Sequence, residues 1–189
     1  MHSCSLPPGI INPFALIKVS FSPKIFGSFN IKFTLFRINS SLEEVVILDN
    51  TTQIPKHCFY QCISLQNIKI SDNVSAIGDG AFLGCENLNE IKLPSNLLSI
   101  GGYAFTKCIS MNSISIPNNT QSIGSHAFFY CTELTDIKLA DNLLYLGGYA
   151  FKNCTKLTNI NIPNKVQEIA ATTFLNSAIT SVTLPNSIS

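Results

Sequence analysis

Phenylalanine returns at a fixed interval of 23 residues: Phe36, Phe59, Phe82, Phe105, Phe128, Phe151 and Phe174. Three residues after each stand Asn39, Cys62, Cys85, Cys108, Cys131, Cys154 and Ser177. Self-similarity with a period of about 20 to 50 residues marks a chain of stacked units, each too thin to bury its own apolar face. That constraint outranks composition. It commits most inward side chains to packing between neighbouring units.

Aligned on the period, one unit reads Leu65-x-x-Ile68-x-Ile70, then Val74, Ile77, Gly78, Ala81, Phe82 and Cys85. Leu88, Ile91, Leu93, Leu97, Ile100, Gly101, Ala104, Phe105 and Cys108 repeat it. The alternation around Ile68 and Ile70 has period two, which predicts a short strand with alternate side chains inward. Pro94, Pro117, Pro163 and Pro185 follow the strand, with Ser71 and Ala140 in the same place. Proline has no N–H to donate, so it ends a ladder on one side. Gly78, Gly101, Gly124 and Gly147 mark a corner that needs positive φ or close backbone approach. Ala-Phe-x-x-Cys is too short for a helix and predicts a turn or 3₁₀ segment. Asn50, Asn73, Asn96, Asn119 and Asn142 recur on the same period and are expected as turn residues in the left-handed region.

The expected fold is a right-handed repeat solenoid of six to seven coils. One parallel β-sheet lies along it, with short turns or 3₁₀ segments opposite. Residues 31–189 form the solenoid. Residues 1–30 lose the register and are expected as an irregular segment or degenerate cap, although Ile17–Phe21 and Ile31–Leu35 still alternate as strands do. The final half-coil breaks off at Ser189 within a repeat, so the sequence is read as open to continuation.

Composition excludes several function classes. Net charge is +1 and only 12% of residues are charged, so nucleic acid finds no basic stripe. No apolar run reaches the length of about 18 to 20 residues that a membrane span needs. The N-terminus, interrupted by Pro7, Pro8 and Pro13 and without an early Lys or Arg, makes a poor signal peptide.

Seven cysteines invite a chemical reading. A ladder with one Cys per coil is a line, whereas a zinc site needs ligands converging on a point. Stacked coils bring Cα atoms within disulfide range, but the Cβ vectors point the same way. Buried free thiols packing as small apolar groups are expected. His2, His57 and His126 have no nucleophilic partner placed by the repeat. No phosphate-cradling loop or converging acid–base set appears, so neither catalytic residues nor cofactors are expected. Asn39, Asn50, Asn73, Asn118 and Asn153 begin Asn-x-Ser/Thr sequons that could carry glycans on a secreted chain.

The outward strand positions form the candidate binding face: Asn67 and Lys69, Glu90 and Lys92, Ser113 and Ser115, Asp136 and Lys138, Asn159 and Asn161. It is polar and charge-balanced, with a neutral serine step in the middle. Solenoid sheets commonly serve as extended binding surfaces. The open ends of the stack offer edges for self-association.

Ile77-Gly-Asp-Gly-Ala81-Phe82-Leu-Gly-Cys85 and Ile100-Gly-Gly-Tyr-Ala104-Phe105-Thr-Lys-Cys108 carry a family resemblance. With the Leu-x-x-Ile-x-Ile strand, they resemble BspA-like leucine-rich repeats of surface antigens, over residues 36 to 188. The resemblance implies a non-enzymatic module that binds a protein or glycan at the cell surface or after secretion. It transfers no catalytic residues. The lack of a convincing signal or anchor leaves an intracellular, cytoplasmic scaffold as the alternative.

Overall fold

The computed structural model describes residues 17–21 and 36–185. It is a parallel β-solenoid, with no helix among the described residues. Twelve short strands follow in order: β1 (Ile17–Phe21), β2 (Leu42–Ile47), β3 (Gln53–Ile54), β4 (Asn67–Ile70), β5 (Ala76–Ile77), β6 (Ser99–Ile100), β7 (Ser113–Ser115), β8 (Ser122–Ile123), β9 (Asp136–Lys138), β10 (Tyr145–Leu146), β11 (Asn159–Asn161) and β12 (Ser181–Thr183).

The single expected sheet resolves into two ladders. On the front face β2 pairs with β4, β7 with β9, and β11 with β12, all parallel. Glu90–Leu93, the strand segment between β4 and β7, joins neither neighbour, and β9 does not pair with β11. Proline accounts for these breaks. Ser71, just after β4, donates its N–H to Ile47 at 3.2 Å. Pro94, Pro117 and Pro163 hold the same place in the later coil at each of the three unpaired junctions and have no N–H to give. Ala140 stands there after β9, which pairs, and only the β11–β12 pair tolerates a proline, Pro185.

The second ladder is unbroken over five coils, in the order β10-β8-β6-β5-β3. Ile54, Ile77, Ile100, Ile123 and Leu146 lie in register along it. The glycine that follows every rung but the first, where Pro55 stands, permits this. A Cβ on Gly78 would lie 2.6 Å from the Lys56 nitrogen, and one on Gly101 the same distance from that of Asp79. Close approach, not positive φ, is therefore what these glycines supply. Their N–H groups donate across coils at 2.8–2.9 Å. Ala170 takes the next place, and the ladder stops before it.

The Ala-Phe-x-x-Cys side is a run of turns. Alternate N–H groups part ways there. His57, Phe59 and Gln61 donate to the next coil at Asp79, Ala81 and Leu83, while Cys58, Tyr60 and Cys62 close local turns on Pro55, His57 and Phe59. Two left-handed residues per coil turn the donors outward. One column is His57, Gly80, Tyr103, His126 and Tyr149; the other is Gln61, Gly84, Lys107, Tyr130 and Asn153, with φ between 54° and 76°. The asparagine column expected in that region is not there. Asn73, Asn96 and Asn119 instead donate their side-chain amides to the carbonyls of Asp49, Asp72 and Ser95 in the coil before, at 2.7–3.1 Å.

The core is a column of seven phenylalanines with ring centroids 5.2–5.8 Å apart, parallel within 12° from Phe59 onward. Rings at this spacing stack with an offset, which suits their quadrupoles. The six cysteines of the described residues are buried and unbridged. They also have a polar role. Each thiol from Cys62 to Cys154 donates to a Phe carbonyl of the preceding coil, as Cys85 does to Phe59 at 3.1 Å.

β1 runs antiparallel to β2, with Ile17 opposite Ile47 and Val19 opposite Val45. A further coil would run parallel, so this strand is not one more rung of the solenoid. The Ile31–Leu35 segment, Cys4 and His2 lie outside the described residues. At the other end β12 pairs with β11 alone among the described residues, and Leu175, Val182 and Leu184 are exposed.

Candidate functional site

All ten predicted face residues, Asn67 through Asn161, are exposed on the front of the solenoid. The strand pleat sends them out because their neighbours Ile68, Ile91, Ile114, Ile137 and Ile160 point in and are at most 8% exposed. Register aligns them in two columns. Ser113 lies beside Asp136 and Ser115 beside Lys138, while Asn159 and Asn161 stand beside Ser181 and Thr183. At the other end Asn67 and Lys69 stand beside Glu44 and Val46.

The columns differ in charge. One runs Glu44, Asn67, Glu90, Ser113, Asp136, Asn159; the other runs Val46, Lys69, Lys92, Ser115, Lys138, Asn161. Acid therefore lies on one side and lysine on the other, about 6.6–6.8 Å apart along each strand. The ion pairs among the described residues are Lys56–Asp79 and Glu133–Lys156, both away from these columns. Beside the face, Asp72 accepts from the Ser95 N–H at 2.7 Å and from its hydroxyl at 3.0 Å. Those bonds, with Lys92 adding a smaller pull, hold its carboxyl below the usual range.

A groove of about 500 Å³ opens at the serine step, lined by Glu90, Lys92, Ser95, Ser113, Ser115 and Pro117 over a floor of Ile91, Leu93 and Ile114. It lies along the unpaired junction between Glu90–Leu93 and β7. Two features coincide to make it: short side chains and a proline that leaves the ladder open.

A second surface feature escaped the sequence reading. The rings of Tyr103, His126 and Tyr149 stack in a row at 4.5 and 4.7 Å. Lys152 lies over Tyr149 at 5.2 Å, and Phe129 meets His126 edge-on at 5.5 Å. Desolvation, and then Lys152, push the His126 pKa down. The same 23-residue count gives the row away, since His57, Gly80, Tyr103, His126 and Tyr149 share one column. No group of three or more His, Cys, Asp or Glu among the described residues is placed to hold a metal ion. No helix among them is long and apolar enough to cross a membrane.

Comparison with known proteins agrees with this architecture. The family model for the BspA type leucine rich repeat region matches in six copies, over residues 29–131 and 75–189. A leucine-rich repeat protein of T. pallidum is similar in structure, with a TM-score of 0.72 at 25% identity over 90% of this chain and 81% of that one. A leucine-rich repeat protein from Eubacterium ventriosum gives 0.56 at 26% identity, over 78% of this chain and 45% of that one. No curated protein matches. Repeats of this kind are typically non-enzymatic scaffolds for protein interaction. The residues that define each coil, their period and the stack they build agree, and the chain belongs to the BspA-type leucine-rich repeat family.

Proposed function

We propose that this chain is a non-enzymatic recognition module, displayed at the cell surface or secreted, that binds a protein partner through the front face. One observation carries the reading: ten exposed polar side chains stand in two ordered columns, and four of them, Glu90, Lys92, Ser113 and Ser115, line a groove of about 500 Å³. A protein fits this face better than a glycan. Sugars favour exposed aromatic rings, and the exposed tyrosines Tyr103, Tyr130 and Tyr145 lie off these columns. The exposed sequon residue Asn118 is compatible with passage through a secretory route.

Labelling intact and permeabilised source cells with an antibody to this chain tests the location. Signal on intact cells is expected; signal only after permeabilisation overturns it. In that case the unbridged cysteines favour the second reading, an intracellular protein-interaction scaffold. Crosslinking on cells tests the face. The double variant Lys92→Glu/Lys138→Glu is expected to lose partners that the parent captures, at unchanged thermal midpoint. Equal capture moves the site elsewhere.

A further inference from the structure

From the two charge columns we infer that the partner seated on the front face is a second copy of this chain. This rests on the front face being the binding surface. The argument is one of symmetry. Let two copies meet face to face about a two-fold axis that runs along the solenoid, between the columns. Each coil then meets the same coil of its partner, with strands antiparallel. The acid column of one copy lies on the lysine column of the other. Glu90 meets Lys92 of the second copy, Asp136 meets Lys138, and each contact occurs twice, as a closed two-fold contact requires.

The alternative axis, across the solenoid, sets acid on acid and lysine on lysine, which is repulsive. Charge thus selects one arrangement of the two. The serine step falls on itself in that arrangement, so the groove between Glu90–Leu93 and β7 becomes an enclosed, hydrated space. The four charges that define the match make no ion pair among the described residues. Lys69 and Lys92 also stand at the same place in neighbouring coils, so an opposing carboxylate relieves a like-charge contact. The face is polar, so the association is salt-dependent and rapidly reversible, unlike an apolar obligate interface.

Sedimentation velocity of the purified chain over a concentration series tests this. A monomer–dimer equilibrium is expected in about 0.05 M salt, weakened at least about tenfold in about 0.5 M salt. Lys92→Glu/Lys138→Glu and Glu90→Lys/Asp136→Lys are each expected to sediment as folded monomers. Mixed together they should restore a dimer, because each then presents the charge the other lacks. A carbodiimide crosslink between Glu90 of light protein and Lys92 of nitrogen-heavy protein fixes the orientation. A chain that stays monomeric throughout, or a dimer indifferent to salt and to both variants, overturns the inference. If the chain is monomeric while Lys92→Glu/Lys138→Glu still abolishes capture on cells, the homotypic partner is wrong and the binding face stands. If neither is affected, both fall.

Discussion

The cysteine place shows how much one side chain settles. The Phe59 carbonyl accepts the Cys62 N–H of its own coil and the Cys85 thiol of the next, so both lone pairs are used in a dry core. Ser177, at the last such place, turns its hydroxyl instead to the Phe174 carbonyl of its own coil at 2.7 Å. An aliphatic residue there would fill the space and leave an acceptor half-satisfied. Burial raises the thiols well above their ordinary 9.0, to about 11 for Cys62 and about 12 for Cys154. The unfolded chain ionises near 9.0, so it releases protons that the fold retains. Stability is therefore full below about pH 9 and falls as pH rises toward the folded values, by up to about 1.4 kcal/mol per pH unit for each thiol. Denaturant titrations from about pH 7 to about pH 11 should show this alkaline loss. A disulfide reagent should leave these thiols unreacted until the chain unfolds. A flat pH profile would mean that the thiols are not buried.

Lys107 makes a second point at the same scale. It is exposed, and its φ of 59° lies where a Cβ crowds the backbone. Lys107→Gly relieves that strain and loosens the unfolded chain, a net gain of about 0.5–1 kcal/mol. Lys107→Val should lose about 1 kcal/mol or more, because β-branched residues fit this region worst. Thermal midpoints of the pair decide it; equal values would remove the left-handed column from this coil.

At the scale of elements, glycine and proline divide the labour between the ladders. Gly124 approaches Gly101 and Gly102 so closely that a Cβ would strike backbone. Gly124→Ala should therefore cost several kcal/mol and open the ladder between β6 and β8. Ala170→Gly should extend it by one rung, seen as new amide protection near Ala170. Pro117 works the other way. Pro117→Ala restores an N–H toward Leu93 and should zip the junction beside β7, which closes the groove. Amide exchange at residue 117 should then be slow, and fast exchange would mean that proline is not what holds the junction open. Much of this was legible beforehand: the strand places, the corner glycines and the Phe column follow from period and polarity. The break in the front ladder was not. The prolines were read as ends of strands, whereas their effect is on the coil before, across a contact that local sequence does not display. The asparagine column misled for a related reason. Asn is at home in the left-handed region, but here its amide found a carbonyl one coil away.

The whole molecule is a one-dimensional stack, in which each coil touches only its neighbours. The two ends of the described stack are unlike, with β1 antiparallel on β2 at one and exposed Val182 in β12 and Leu184 just after it at the other. The ten face residues were legible from period two alone, because alternation decides which side chains point out. Their grouping around a groove depended on the broken junction and was not. A stack of this kind should tolerate loss of one whole period and no other length. Deleting residues 101–123 joins Ile100 to Gly124, which carries the phase of the deleted Gly101, and sets Phe128 on Phe82 and Cys131 under the Phe82 carbonyl. This chain should fold and unfold in one transition, with a denaturant slope reduced by roughly one coil's share of buried surface. Removing about half a period at the same point sets polar strand places against the core and should abolish cooperative unfolding. The one-period deletion also removes Ser113 and Ser115 and sets Glu90 and Lys92 directly beside Asp136 and Lys138. It therefore closes the groove but keeps four members of the charge columns. Persistent self-association in that chain would assign it to charge, and loss with an intact fold would assign it to the groove.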